Sequence, residues 1–159
     1  MTDADLPSRF HLETDASLNP GQRKVVAGVS LQRAGGGLVL RDTGMEVVGM
    51  YVVRLGFLSS SLHAEALVLL RGMKAARVRH GATALRVRTD SAHLVELVHG
   101  RGEAHDPELG TIVKQIAAER GRLEGFELLW SRSTHAPERQ PGVPTADALA
   151  RRAAGLGSR

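Results

Sequence analysis

The sequence predicts an α/β domain built on a five-stranded mixed sheet, in the order β-β-β-α-β-α-β-α, with helices on both faces. Three observations predict it. The first third of the chain carries alternating apolar and polar residues broken by turn residues. A helical period of apolar residues then sets in at Leu62. After it, two short apolar strands alternate with helical stretches.

The elements follow in order. Phe10, Leu12 and Thr14 alternate with His11, Glu13 and Asp15, which reads as a strand, and the turn-rich Ala-Ser-Leu-Asn-Pro-Gly of residues 16–21 reads as its stop. Residues 25–31 and 45–57 read as two further strands. Ala34-Gly35-Gly36-Gly37 and Arg41-Asp42-Thr43-Gly44 serve as turns, giving an antiparallel meander. Leu38-Val39-Leu40 fits no strand boundary cleanly. The triple glycine lacks the Gly-Lys-Ser/Thr ending of a phosphate cradle and opens no helix, so a turn is its expected role.

Leu62, Ala66, Leu69, Leu70, Met73 and Ala76 then share one helical face, with Ser59, Ser60 or Ser61 available as N-cap. This helix is expected to stop at His80-Gly81, where Arg77, Arg79 and His80 suit the negative end of its dipole. A strand over 84–90 and a helix from Ser91 to Val98 come next. A polar break over 99–104 precedes a second helical start at Asp106-Pro107-Glu108, with Asp at N-cap and Pro in the first turn. Residues 126–130 make the fifth strand, and a Pro-rich loop over 135–144 leads to a last helix over 145–154. The whole, 1–159, reads as one domain with its core over about 9–154 and frayed ends.

Composition bounds function only loosely. A chain of 159 residues can fold on its hydrophobic core alone, and the absence of cysteine excludes thiolate metal sites and cysteine nucleophiles. Residues 1–9 are acidic, then polar, and the densest apolar run, 66–70, is too short for a bilayer. A soluble cytoplasmic monomer without membrane contact is expected. Lys and Arg total 21 against 17 acids, a net charge of +4, and nearly all the cations are Arg. Guanidinium groups suit a polyanionic partner, but a GC-rich genome enriches Arg equally well.

Four acids sit at the ends of these elements. Asp15 closes the first strand, Glu65 lies in the early turns of the first helix, Asp90 closes the fourth strand and Asp147 opens the last helix. If the first and fourth strands are parallel neighbours, Asp15 and Asp90 leave the sheet at one edge, within reach of Glu65. Singly, each acid also has a structural reading as a turn, cap or helix-dipole residue. Together they would form one carboxylate cluster, and crowded carboxylates repel one another unless cations sit among them.

The strings around these acids resemble the ribonuclease H type I family. A strand ends in Asp15-Ala16-Ser17 with Asn19-Pro20-Gly21 after it. The first helix carries Ala64-Glu65-Ala66-Leu67, the fourth strand ends in Thr89-Asp90-Ser91, and the last helix carries Ala146-Asp147-Ala148-Leu149-Ala150. The motifs occur in the family's order over residues 9–154. The short segment between Asp90 and Trp130 places the chain in a branch without the basic handle, and Leu55-Gly56-Phe57 and Ser60-Ser61-Leu62 lean the same way.

The resemblance implies a ribonuclease H-like fold and an endonuclease that cuts the RNA strand of RNA–DNA hybrids with two Mg²⁺ or Mn²⁺ ions. It leaves 5′-phosphate and 3′-hydroxyl ends. Asp15 would bridge both ions, Asp147 would complete the nucleophile side, and Glu65 and Asp90 the leaving-group side. Ser17, Asn19, Ser61 and Ser91 fall where the family touches the nucleic-acid backbone or the 2′-hydroxyls that distinguish RNA. His135 matches a loop histidine that helps protonate the leaving group or release product. The rival reading is a non-catalytic module of the same fold that binds nucleic acid or protein, motivated by Pro141 and Pro144 before Asp147 and by the absent handle.

The other histidines, His11, His63, His80, His93, His99 and His105, show no zinc-ligand spacing and read as surface or structural. Trp130 ends an apolar strand and is expected in the core. Arg71, Lys74 and Arg77 read as a solvated helix face or a phosphate track.

Overall fold

The computed structural model describes residues 9–132 and 142–157. Its elements are β1 (Arg9–Val26), β2 (Val29–Arg41), β3 (Val47–Leu58), α1 (Ser61–His80), β4 (Ala84–Thr89), α2 (Ala92–Val98), α3 (Pro107–Arg120), β5 (Gly125–Trp130) and α4 (Ala146–Ala153). The strands form one sheet ordered β3-β2-β1-β4-β5. β1, β2 and β3 pair antiparallel, whereas β4 runs parallel to β1 and β5 parallel to β4. This is the expected mixed sheet. The helical stretch between β4 and β5 is two helices, because the break after Val98 carries Gly100 and Gly102 and no apolar spacing.

The meander departs from the sequence reading in three places. First, β1 does not stop at 16–21. It continues to Val26, and the ladder with β2 skips from Asn19 to Arg23, so Pro20, Gly21 and Gln22 are absorbed in a bulge. Pro20 cannot donate to a ladder, and a bulge is where a strand tolerates that. The Asn19 side chain steadies it by accepting from the Gly21 amide at 3.0 Å.

Second, residues 25–31 are not one strand. The chain reverses within them, at Ala27 and Gly28, whose φ values of 51° and 81° are those of a two-residue hairpin turn. Val25, Val26 and Val29 favour strand on both sides of the reversal, which hid it.

Third, Ala34-Gly35-Gly36-Gly37 is no turn but the buried middle of β2. A Cβ on Gly36 would strike Val68 of α1. One on Gly35 would strike Ala153 and Ala154, and one on Gly37 would strike Ala146, Leu149 and Ala150 of α4. The glycines are there because two helices press on the backbone from opposite faces.

The main core lies between the sheet and α1. Leu69, Met73 and Ala76 pack on Leu12, Leu38 and Leu40, and the cluster extends through Leu85 and Val87 to Leu94, Ile112 and Ile116. Each such Leu, Ile, Val or Met side chain contributes roughly 1.5–3 kcal/mol by leaving water. On the other face a small cluster of Val39, Ala146 and Leu149 seats α4. The start of α1 is fixed by Ser60, whose hydroxyl accepts from the His63 amide at 3.1 Å, and Gly81 closes it, as expected. Of the Arg71, Lys74 and Arg77 face, the first two are exposed and Arg77 is partly buried. Its guanidinium forks onto the buried Glu119 carboxylate at 2.9 and 3.0 Å, tying α1 to α3. Among the described residues no helix is long and apolar enough to cross a membrane.

Candidate active site

The parallel ladder between β1 and β4 ends at Glu13 opposite Arg88. Beyond that pair the strands part, as parallel strands do where α/β sheets open their ligand crevices. Asp15 lies on β1 two residues past the last rung, and Asp90 directly follows β4. Glu65, in the second turn of α1, points to the same gap. Carboxylate oxygens of Asp15, Glu65 and Asp90 lie within 4.8 Å of one another. The sequence expectation that these acids share one sheet edge therefore holds in the geometry.

The fourth acid arrives by a different route. Gly37 sits directly opposite Asp15 in the β1–β2 register, and the bare backbone at Gly37 is where the first turn of α4 lands. Thr145 caps that turn by accepting from the Ala148 amide at 3.1 Å. The Ala146 amide donates to Glu13 Oε1 at 3.2 Å, and the other Glu13 oxygen lies 3.6 Å from the buried Arg41 guanidinium. Asp147, the next residue, thus lines one small cleft with Asp15 and Asp90. The cleft holds about 30 Å³, room for roughly two water-sized occupants.

Its electrostatics are those of crowded, half-dry acids. Burial, then the charges of Asp90 and Asp147, push the Asp15 carboxyl from an ordinary 3.8 up to about 8. Burial, then Asp15 and Asp90, push Glu65 from 4.5 up to about 9. Asp90 is raised as well, chiefly by burial. One donor opposes this, for the Ala16 amide serves both Asp15 Oδ1 at 2.9 Å and Glu65 Oε1 at 3.2 Å. The second Glu65 oxygen is buried without a hydrogen-bond partner. An orphaned carboxylate oxygen among like charges fits a divalent cation, and an all-oxygen donor set suits the hard Mg²⁺ and Mn²⁺ class.

The expected nucleic-acid contacts are distributed unevenly. Ser17 is half-buried two residues past Asp15, Ser61 is exposed at the start of α1, and Ser91 stands beside Asp90 as the N-cap of α2. Asn19 is buried with both ends of its amide engaged: its NH₂ donates to the Ala154 carbonyl at 2.9 Å while its oxygen holds the bulge. It clamps the end of α4 to β1. His135 lies outside the described residues.

Trp130 corrects the sequence expectation. It is 51% exposed, not core, because it ends the outermost strand, past Leu128, the buried residue of that strand. Its indole N–H donates to the Asp90 carbonyl at 3.1 Å, bracing the main chain that presents the carboxylate. The sequence reading also missed Glu13, Arg88 and Arg132 as cleft residues. For Glu13 and Arg88 the signal was present, since each lies two positions before one of the acids.

The model of the reverse transcriptase-like family matches residues 24–137 of the chain, a span that includes Glu65 and Asp90. No curated protein sequence matches. Among solved structures the chain is similar to the ribonuclease H1 of the halophilic archaeon Halobacterium salinarum. The TM-score is 0.73 at 21% identity, over 91% of this chain and 96% of that one. It is similar to the N-terminal ribonuclease H domain of a Mycobacterium tuberculosis protein, solved as a fusion with maltose-binding protein. There the TM-score is 0.72 at 23% identity, over 91% and 97% of the two chains. A ribonuclease H1 in complex with an RNA/DNA hybrid matches with a TM-score of 0.64 at 19% identity, over 80% and 89%. These likenesses show the ribonuclease H fold.

Proposed function

This chain belongs to the reverse transcriptase-like family, and we propose that it is a metal-dependent ribonuclease H that hydrolyses the RNA strand of RNA–DNA hybrids, leaving 5′-phosphate and 3′-hydroxyl ends. One observation carries the reading. Asp15, Glu65 and Asp90 offer oxygens within 4.8 Å of one another, and Asp147 from a separate helix lines one cleft with Asp15 and Asp90. The acids converge at a cost in repulsion and burial, which hold Asp15 and Glu65 well above the ordinary carboxylate range.

The four carboxylates would hold two Mg²⁺ or Mn²⁺ ions. When bound, the ions supply Lewis acidity that makes a hydroxide-like nucleophile at neutral pH and stabilises the departing oxygen. The chain's own residues position and restrain. The Ala16 amide holds Asp15 and Glu65 at a fixed spacing. Glu13 pins the first turn of α4, and with it Asp147. Arg88 and Arg132 add positive charge at the cleft wall, where a scissile phosphate would sit. Ser17, two residues past Asp15, Ser61 at the start of α1 and Ser91 beside Asp90 would offer hydroxyls to a sugar–phosphate backbone or a 2′-hydroxyl.

The hybrid as substrate is supported by the neighbour solved with an RNA/DNA hybrid, and by a basic groove between α1 and β3 lined by Arg54, Arg71, Lys74 and Arg79. Such cations supply the sequence-independent part of nucleic-acid affinity that a handle would otherwise give.

The test is a panel of end-labelled hybrid, double-stranded RNA and single strands, each incubated with Mg²⁺ or Mn²⁺. Internal cuts confined to the RNA of the hybrid are expected. Equal cutting of double-stranded RNA, or no cutting with either metal, would reject the reading.

A further inference from the structure

A second group of metal-type donors lies outside the acidic cleft. His63 of α1 and Asp106 and Glu108 at the start of α3 each present a ligand atom within 4.8 Å of the other two. They open onto a cleft of about 630 Å³ whose walls include Phe57, Ser59 and Pro107. No sequence spacing announces the group, since its members come from helices more than forty residues apart.

We propose that His63, Asp106 and Glu108 form a site for one transition-series divalent cation of the Zn²⁺ class, separate from the catalytic carboxylates.

Three observations carry it. The first is His63 itself, only 6% exposed. Its Nδ1 faces Asp106 Oδ2 at 3.9 Å, beyond hydrogen-bond reach. A largely buried imidazole that opens onto this cleft and faces a carboxylate presents a nitrogen lone pair that a metal ion can take.

The second is the division of labour at Asp106. Its Oδ1 is occupied, accepting from the Glu108 amide at 2.9 Å as the N-cap of α3. Oδ2 is left turned toward His63. The third is the start of α3. Pro107 contributes no N–H there, and Glu108, exposed and free to change rotamer, adds a second carboxylate. The two acids offset the positive end of the helix dipole, which would otherwise oppose a cation.

The donor set selects the metal. One imidazole nitrogen with two carboxylates suits Zn²⁺, whose bonds of about 2.0–2.2 Å need ligand atoms slightly closer than they stand here. Mg²⁺ prefers oxygen and keeps its water, so the two clusters divide the metals between them. Three protein ligands leave positions open to water. A bound ion would tie the first turn of α1, two residues before Glu65, to the start of α3.

The test is calorimetric titration of the full chain with Zn²⁺ in saturating Mg²⁺, in a background carrying Asp15→Asn and Asp90→Asn so that the cleft competes weakly. One equivalent of Zn²⁺ is expected, with a rise in Tm. His63→Asn should weaken it at least about tenfold, and Glu108→Gln, an exposed change with little bearing on folding, should weaken it too. With Co²⁺ as probe, the visible absorption should change on loss of the nitrogen ligand. Zinc uptake unaltered by both substitutions, or no uptake in the background protein, would overturn the proposal. Neither result bears on hybrid cleavage in Mg²⁺, which is scored separately.

Discussion

Replacing Asp15 with Asn should destroy cleavage and, in metal-free protein, strengthen the fold. The carboxyl is raised from 3.8 to about 8 by burial and by the charges of Asp90 and Asp147. Between those values the folded state holds a proton that the unfolded chain has released. Stability therefore falls as pH rises through that window and levels off above it. Each pH unit crossed costs about 1.4 kcal/mol, which would give about 4 kcal/mol by neutral pH. Glu65 shares the same repulsion, so removing one charge recovers only part of the total, roughly 2–4 kcal/mol. For a chain of this size that is on the order of 5–12 °C in Tm.

The assay is denaturant unfolding of metal-free wild type and Asp15→Asn at about pH 4 and about pH 8. The variant should match wild type at the lower pH and exceed it at the higher. Added Mg²⁺ should narrow the gap by stabilising the wild type alone. A variant less stable than wild type at high pH, or a difference independent of pH, would refute the electrostatic account of the cleft.

Three further perturbations probe how the site is assembled. Asp147→Asn should lower cleavage by at least about a hundredfold, or 2.7 kcal/mol of barrier, with hybrid binding in Ca²⁺ nearly unchanged by fluorescence anisotropy. Gly37→Ala should cost about 1–3 kcal/mol in chemical denaturation and lose cleavage out of proportion, because its Cβ lifts the first turn of α4 from the sheet. Glu13→Ala leaves the Ala146 amide and the buried Arg41 without their carboxylate. It should cost about 2–4 kcal/mol and slow turnover, while Glu13→Gln, which keeps an acceptor for Ala146, should restore much of the rate.

Much of this site was legible because its acids sit at element ends that patterning marks well. The alternation before Asp15, the capping serine before Glu65 and the short strand before Asp90 placed three carboxylates, and parallel β1 and β4 brought them together. The meander was harder to read. Glycine is the residue of turns and equally the residue of close backbone approach, and local sequence cannot say which applies at Gly35-Gly36-Gly37. Only α4 and α1, arriving from far along the chain, decide it. The cost was an unrecognised cause, since the run taken for a turn is what lets Asp147 reach Asp15.

Asn19 and Trp130 teach a related lesson. A polar residue near an active site was expected to meet substrate and is spent on the Ala154 carbonyl. An aromatic residue on an apolar strand was expected in the core and is exposed beside Asp90. Both outcomes turn on long-range partners, as does the pairing of His63 with α3.

The account rests on four carboxylates acting as one receptor for divalent ions. Titrating the chain with Mg²⁺ by calorimetry, beside Glu65→Gln, tests that most directly. Saturable uptake at the concentrations that support hybrid cleavage is predicted for wild type, and its loss, together with cleavage, for the variant. Uptake and cleavage that survive in Glu65→Gln, or cleavage that needs no divalent ion, would contradict it.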